Sequence, residues 1–507
     1  MSIVVVLLVI VPLLTTLVCI RAPHRIAAAL TALTGIATFI LAVTLVPDGV
    51  NHTITAMHYL RADSLSLIFL LATCFLYATV GVYSIGYLAE EERAVRVGDS
   101  EQRAQFRRHS TLFYVGLNTF AWSMICAPLV NGLALLWIAV EITTVVSALL
   151  VAIEDTDGAA EAAWKYVLIA SAGLGLGLLA TVFAYFAGAQ VLGEHYNLAI
   201  APLIHVAARL PATPVRLAFL LALIGYGTKV GLFPVHTWLP DAHSEAPTPV
   251  SALLSGALLA TSFYAILRYY QFTSAALGSG FPRDALLAFG AASLLLAALY
   301  VFGQHDIKRL LAYSSIEHMG ILAIGVSFGA PVALAGVMLH VLAHAAAKGN
   351  AFMGAGVFLV KYHTKQIASL RGALDLLPWS GPLFLLAIFA LSALPPSGIF
   401  RSEFQIVSGG LAGGHYAAAA VLVVLITVVF FGLTGASTRI LFTPAPRSPA
   451  EISSAAAAAA IDRGEPSAWL VVPAVAGIVV LFVLGLHPPG ELTGLISRAV
   501  TELGAAR

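Results

Sequence analysis

Runs of about twenty apolar residues, the length that crosses a hydrocarbon core, recur along the whole of this chain and constrain its fold more than any other feature. They lie near 2–20, 26–46, 63–87, 110–128, 130–153, 164–187, 213–233, 247–271, 284–303, 310–328, 331–360, 379–404, 416–441 and 468–486, and predict an all-α integral membrane protein of about fourteen spans. Of 507 residues, 60% are hydrophobic and only 10% charged, where a soluble protein carries about 25%. So few charges cannot cover a globule, and the missing solvent is lipid. The first run has no basic residues before it and is too long for a signal peptide's apolar core, so it is read as a span.

A formal net charge of +1 argues against nucleic acid as a partner. Cys19, Cys74 and Cys126 stand alone in apolar runs, too few for an iron–sulfur site or a disulfide framework. No cofactor is expected, and any electrons travel on another subunit.

Loop charge sets orientation. Arg93, Arg96, Arg103, Arg107 and Arg108 follow the third span, Lys308 and Arg309 the ninth, and Lys361, Lys365 and Arg371 the eleventh. Loops after even-numbered spans hold only Arg61, Arg209, Arg216, Arg268 and Arg283. The positive-inside rule places the odd loops in the cytoplasm of a cell (inner or plasma) membrane, with both termini outside. The two long polar stretches, 89–109 and 444–467, read as solvated cytoplasmic loops or as docking surfaces for a soluble partner.

Two spans carry their own breakers: Pro234 and Pro240 in GLFPVHTWLPDAH, and Pro395 and Pro396 in LSALPPSGIF. Proline removes a backbone donor, and inside a membrane the break survives only where protein or water satisfies the freed carbonyls. A pair of breaks five spans apart is what two structural repeats leave behind, and transporter sites sit at such breaks. The tract Gly173-x-Gly175-x-Gly177 reads as close helix packing.

Ionisable residues within apolar spans mark ion paths. Glu141 lies mid-span in LLWIAVEITTVVSALL, and Lys229 just before the first break. As an ion pair both stay charged; apart, each moves toward neutrality. The alternative is a static pair that holds two helices together. His340, His344 and Lys348 fall at i, i+4 and i+8 on one helix face. Glu317 and His318 lie mid-span in the tenth helix. Imidazole titrates nearest neutrality and suits a relay, against the plainer role of hydrogen-bonded packing. Glu403, after the second break, is the candidate exit carboxylate, unless Arg401 simply neutralises it. His236, Asp241, His243 and Glu245 could ligate a metal, but their spacing matches no known ligand pattern, and no metal is expected.

The loop and its flanks, KVGLFPVHTWLPDAHSEAPTPVSALLSG, with DIKRLLAYSSIEHMG and LPPSGIFRSEF, resemble the antiporter-like membrane subunits shared by respiratory complex I, Mrp sodium/proton antiporters and membrane-bound hydrogenases. WIAVEITTVVSALLVA, AAWKYV and SSIEHMG resemble most the hydrogenase-4 and formate-hydrogenlyase type. The resemblance implies two inverted five-helix repeats (110–272, spans four to eight; 284–441, spans nine to thirteen), preceded by 1–109 and followed by 442–507. It implies proton translocation through Glu141 and Lys229 in the first half, and through His318, His344, Lys348 and Glu403 in the second. Many relatives have a basic residue in the middle of span eight, where SGALLATSFYAILR places Ala260; Ser262, Tyr264 or water would then bridge the halves. The implied partners are other membrane subunits, peripheral redox subunits on the cytoplasmic side, the bilayer, and protons or sodium ions. The implied role is that of a transport subunit without redox chemistry of its own. A sodium/proton antiporter component, the membrane partner of a bicarbonate-uptake complex and a non-transporting scaffold are the competing roles.

Overall fold

The computed structural model describes residues 1–96, 100–444 and 463–504. Among them, twelve helices are long and apolar enough to cross a membrane. In chain order, the first six are Ser2–Cys19, His24–Thr44, Ser64–Arg96, Ser100–Leu129, Leu133–Val151 and Asp157–Leu192. The eighth to eleventh are Thr248–Leu277, Gly280–Tyr300, Ile307–Phe328 and Pro331–Tyr362. The thirteenth and fourteenth are Tyr416–Phe442 and Ala468–Leu486. The seventh and twelfth spans are split, as the prolines predict: Ala212–Val230 then Trp238–Glu245, and Ser380–Leu391 then Gly398–Ala412.

Spans three, eight, ten and eleven form the interior, and the apolar windows of eight and ten are buried along their whole length. Spans one, six and thirteen lie at the periphery and turn Leu14, Leu17, Leu168, Phe186, Val424 and Phe431 outward. In a soluble protein so much exposed apolar surface would drive aggregation; here it is the face presented to lipid.

The sixth span packs along the seventh, and the eleventh along the second half of the twelfth. The first pair approaches closely because it must do so on glycine. A Cβ on Gly225 would stand 2.5 Å from the Gly177 nitrogen and 2.8 Å from the Gly173 carbonyl oxygen. Gly175, the third member of the tract, has nothing within 4 Å, so only two of its three glycines make the contact.

The freed backbone at the first break is satisfied by protein. The Trp238 indole donates to the Thr228 carbonyl at 2.7 Å, and the Phe233 amide donates to Ser293 Oγ at 2.9 Å. At the second break the Ser397 hydroxyl accepts from the Phe400 amide and starts the next helix.

Four features differ from the sequence reading. The described residues of 89–109 are helical: the third span continues to Arg96 and the fourth begins at Ser100. Most of 444–467 lies outside the described residues. Within the described end of that segment, Glu465 accepts from the amides of Trp379 and Ser380 at 2.9 Å and caps the twelfth span. A hairpin pairs β1 (Ile54–Ala56) with β2 (Leu60–Ala62), in register Ile54 to Ala62. After the last span, the amphipathic helix Gly490–Glu502 folds back on the bundle.

Candidate functional site

Glu141 is half-buried on the fifth span, accepting from Ser171 Oγ at 3.5 Å, while its Oε2 has no partner. Lys229 is fully buried in the last turn before the first break. The two make no ion pair within the 4.0 Å limit of a contact. Lys229 instead donates to the hydroxyl of Tyr166 on the sixth span, which the Gly225 contact brings alongside. Tyr166 lies 2.7 Å from Ser147 Oγ, and Ser147 gives its own proton to the Thr143 carbonyl. That fixes the direction of every donor: Lys229 to Tyr166, Tyr166 to Ser147, Ser147 to the backbone. The rings of Tyr166 and Trp238 stack at 4.4 Å, and the ammonium lies 4.7 Å from the first and 5.9 Å from the second. Aromatic faces are the least costly surroundings that a buried cation can have without a carboxylate.

The second half is built on the face that His340, His344 and Lys348 share. Lys348 donates to the Leu311 carbonyl at 3.0 Å and to Ser314 Oγ at 2.7 Å on the tenth span. Like Lys229, it is fully buried with neutral hydrogen-bond partners. Its nearby carboxylate, Glu317, is buried and has an unpartnered Oε2.

His318 Nδ1 lies 3.1 Å from His340 Nε2, and His340 Nδ1 lies 2.9 Å from Ser402 Oγ. Ser402 gives its proton to the Ile399 carbonyl. His340 therefore carries its proton on Nδ1 and accepts on Nε2 from His318. Glu403 is buried beside them, with Oε1 3.8 Å from His318 Nδ1 and no hydrogen-bond partner. His344 packs edge-on to His318, centroids 5.2 Å apart, and neither of its nitrogens has a partner. Arg401 does not neutralise Glu403; it donates to the carbonyls of Gly485 and Leu486 at the end of the last span.

The structure thus brings His318, His340, His344 and Glu403 together, with Lys348 one turn beyond His344 and Glu317 next to His318 in sequence. It does not join Glu141 to Lys229. Neither Ser262 nor Tyr264 bridges the halves. Ala260 is buried, Ser262 bonds back to the Leu258 carbonyl, and Tyr264 is taken by Ser66, Arg268 and the Pro128 carbonyl.

What occupies the middle was not singled out for this role. Span eight carries a π-helical turn, Leu254–Leu258, a distortion common at functional sites. It places Ser255 Oγ 2.7 Å from Ser315 Oγ, next in sequence to the serine that holds Lys348. His243 is fully buried against Phe352 of span eleven, centroids 5.1 Å apart, with both nitrogens unpartnered. The two prolines around the break were the available signal, because they mark where the span is split and the short helix that carries His243 begins.

The loop acids are not a metal set. Asp241 pairs with Arg309 at 2.6 Å and Glu245 with Lys365 at 2.6 Å, while His236 stacks on Phe233. Among the described residues, the group with ligand atoms close enough for one ion is His318, His340 and Glu403.

The family model described as NADH:quinone oxidoreductase/Mrp antiporter, TM, matches residues 130–430. The chain is 36% identical over 375 residues to a hydrogenase-4 component F homolog of Methylacidiphilum infernorum, covering 73% of this chain and 76% of that protein. It superposes on a chain of the archaeal membrane-bound sulfane sulfur reductase with a TM-score of 0.82 at 19% identity, covering 99% and 97% of the two chains. A chain of the Mrp complex from Dietzia sp. gives 0.80 at 21%, covering 99% and 100%.

Proposed function

This chain belongs to the NADH:quinone oxidoreductase/Mrp antiporter transmembrane family, and from that we propose that it moves protons as a membrane subunit of a hydrogenase-type or complex I-like assembly, through the buried groups of its two halves. One observation carries the reading: Lys229 and Lys348 are both fully buried and hydrogen-bonded to neutral groups, each near a carboxylate that it does not touch. A lysine held by neutral oxygens keeps its hydrogen bonds with or without the extra proton, so a proton arriving at or leaving Glu141 or Glu317 shifts the balance on the lysine. Moving one charge through 100 mV takes about 2.3 kcal/mol, the scale on which small changes in such a pair act.

In the first half, the proton path runs from Glu141 toward Lys229, with Tyr166 and Ser147 holding the ammonium in place. In the second half it runs from Lys348 and Glu317 past His344 and His318 to Glu403. His243 and the Ser255–Ser315 contact stand between the halves. The two halves are read as inverted repeats, because each packs its sixth- or eleventh-span helix on a helix broken at proline. Redox subunits are placed on the cytoplasmic face, where the loop charges lie, and both termini on the other side.

The test is proton uptake by proteoliposomes of the purified complex. Glu141→Gln and Lys229→Ala should abolish coupled uptake while the complex assembles normally. A non-transporting scaffold predicts that both variants pump as the wild type does. Measuring 22Na+ flux in the same vesicles separates the sodium/proton reading, and the co-purifying subunits separate the bicarbonate-uptake reading.

A further inference from the structure

We propose that His318, His340 and Glu403 form a binding site for a divalent transition-metal ion, and that Zn2+ held there blocks the second half of the path.

Zinc takes imidazole nitrogens and carboxylate oxygens at about 2.0–2.2 Å in tetrahedral array, which puts neighbouring ligand atoms roughly 3.4 Å apart. The separations here are 3.1 Å between His318 Nδ1 and His340 Nε2 and 3.8 Å between His318 Nδ1 and Glu403 Oε1, with all three ligand atoms within 4.8 Å of one another. Three side chains at this spacing leave a fourth position for water.

The surroundings already contain what a metal site needs. His340 Nδ1 donates to Ser402, and that hydroxyl is anchored on the Ile399 carbonyl, so the Nε2 lone pair is aimed at the site. Glu403 Oε1 is buried and unpartnered, pointing to a cation that the protein itself does not supply. On binding, the His318 proton moves from Nδ1 to Nε2, an atom that has no partner of its own. The imidazole pair then keeps its charge, and Glu403 binds as carboxylate, releasing its proton to solvent if it held one. Lys348, one turn beyond His344, is engaged with Ser314 and Leu311 and does not reach the three ligand atoms. A donor set of two nitrogens and one oxygen selects zinc, cadmium or nickel over sodium and magnesium, which prefer oxygen.

A cavity of about 300 Å³ lies between the start of span eleven, the twelfth span and the terminal helix, lined by Leu339, Arg401 and Gln405. The three ligands are buried behind this wall and do not line it, so an ion entering from this side must pass Leu339 and Gln405. Arg401 spans its wall to carbonyl groups and leaves Glu403 free.

Binding is independent of transport, so it can be tested even if the relay reading fails; only the block rests on that reading. The full-length chain in detergent is incubated with ZnCl2, freed of loose metal by gel filtration, and assayed for bound zinc and by X-ray absorption. The wild type should retain one Zn2+ per chain with a first shell of two imidazoles and oxygen. His340→Gln and Glu403→Gln should each weaken binding by at least about 10-fold, and His305→Gln, on the exposed surface, should not. Absence of retained zinc in the wild type, a shell without imidazole, or wild-type affinity in both variants would overturn the site. In proteoliposomes that pump, micromolar Zn2+ added on the cavity side should inhibit. Full binding with undiminished pumping would overturn the block alone.

Discussion

Lys229 donates to Tyr166 and not to Glu141. A lysine locked to a carboxylate would be a structural pin, stable but slow to change charge. A lysine held by a phenol keeps its position whether or not it carries the extra proton, because either form of the amine can donate to the same oxygen. The arrangement fixes the group and leaves its charge free.

Removing that oxygen should therefore uncouple position from charge. Tyr166→Phe keeps the ring that stacks on Trp238 but leaves Lys229 without its partner. Proton uptake per electron in proteoliposomes should fall by about 10-fold or more, with normal assembly. Lost hydrogen bonds to a charged group are worth roughly 1.5–3 kcal/mol, which sets that scale. Undiminished uptake would show that the phenol is only packing.

The glycine contact between spans six and seven is equally testable. Gly225→Ala drives a methyl into the Gly177 backbone, where nothing flexible can yield. Overpacking of this kind costs about 1–3 kcal/mol, and separating the helices moves Lys229 from Tyr166. A lower melting temperature together with impaired transport is expected. Gly175→Ala, facing open space, should be neutral in both assays.

A buried ion cluster ties the terminal helix to the bundle and gives a pH signature. Arg268 pairs with Asp63 at 2.6 Å, both 1% exposed, and Arg61 pairs with the same carboxyl at 3.1 Å. Burial alone would raise the Asp63 carboxyl, but Arg268 and Arg61 outweigh it and hold the group well below the usual carboxylate range. Its stabilising contribution is therefore complete above the ordinary carboxylate pKa of about 4 and is lost as pH falls through the depressed value. Glu502, raised by burial and then by Asp63, acts in the opposite sense, favouring the fold at low pH and less so as pH rises through its titration. Asp63→Asn should lower stability at pH 7 by roughly 3 kcal/mol, since it strands a buried guanidinium. It should also flatten the acid limb of a melting-temperature profile. An unchanged acid limb would assign that limb to other groups.

Between the halves, His243 and Ser255 are the groups to remove. Ser255→Ala breaks the contact with Ser315 and His243→Phe fills the same volume without a titratable nitrogen. If protons cross between the halves here, each variant should slow coupled uptake several-fold while Lys229→Ala remains the more severe. Wild-type rates in both would place the crossing elsewhere.

The spans were legible because a run of apolar residues has no other stable place, and the two breaks because proline leaves carbonyls that only an interior can satisfy. His340, His344 and Lys348 were legible as one face from their spacing alone. What the residues did not disclose depends on contacts between distant segments. The spacing of Glu141 and Lys229 says nothing of Tyr166, which comes between them by way of a glycine packing. The π turn at Leu254–Leu258 has no composition of its own, and it carries Ser255 to Ser315 where Ala260 offers no polar group. Arg and Glu at 89–109 read as a loop, but Arg25 and Glu92, and His109 and Glu91, pair across helix ends there. Gly490–Glu502 is not legible in the sequence because thirteen amphipathic residues resemble neither a span nor a core helix.

Whether one relay runs through both halves is decided by the number of protons taken up per electron in vesicles of the intact complex, for Lys229→Ala, Lys348→Ala and the double variant. A single relay broken at either point is fully broken, so all three should give the same low ratio. Losses that add from the single variants to the double one, or a wild-type ratio in either single variant, would contradict it.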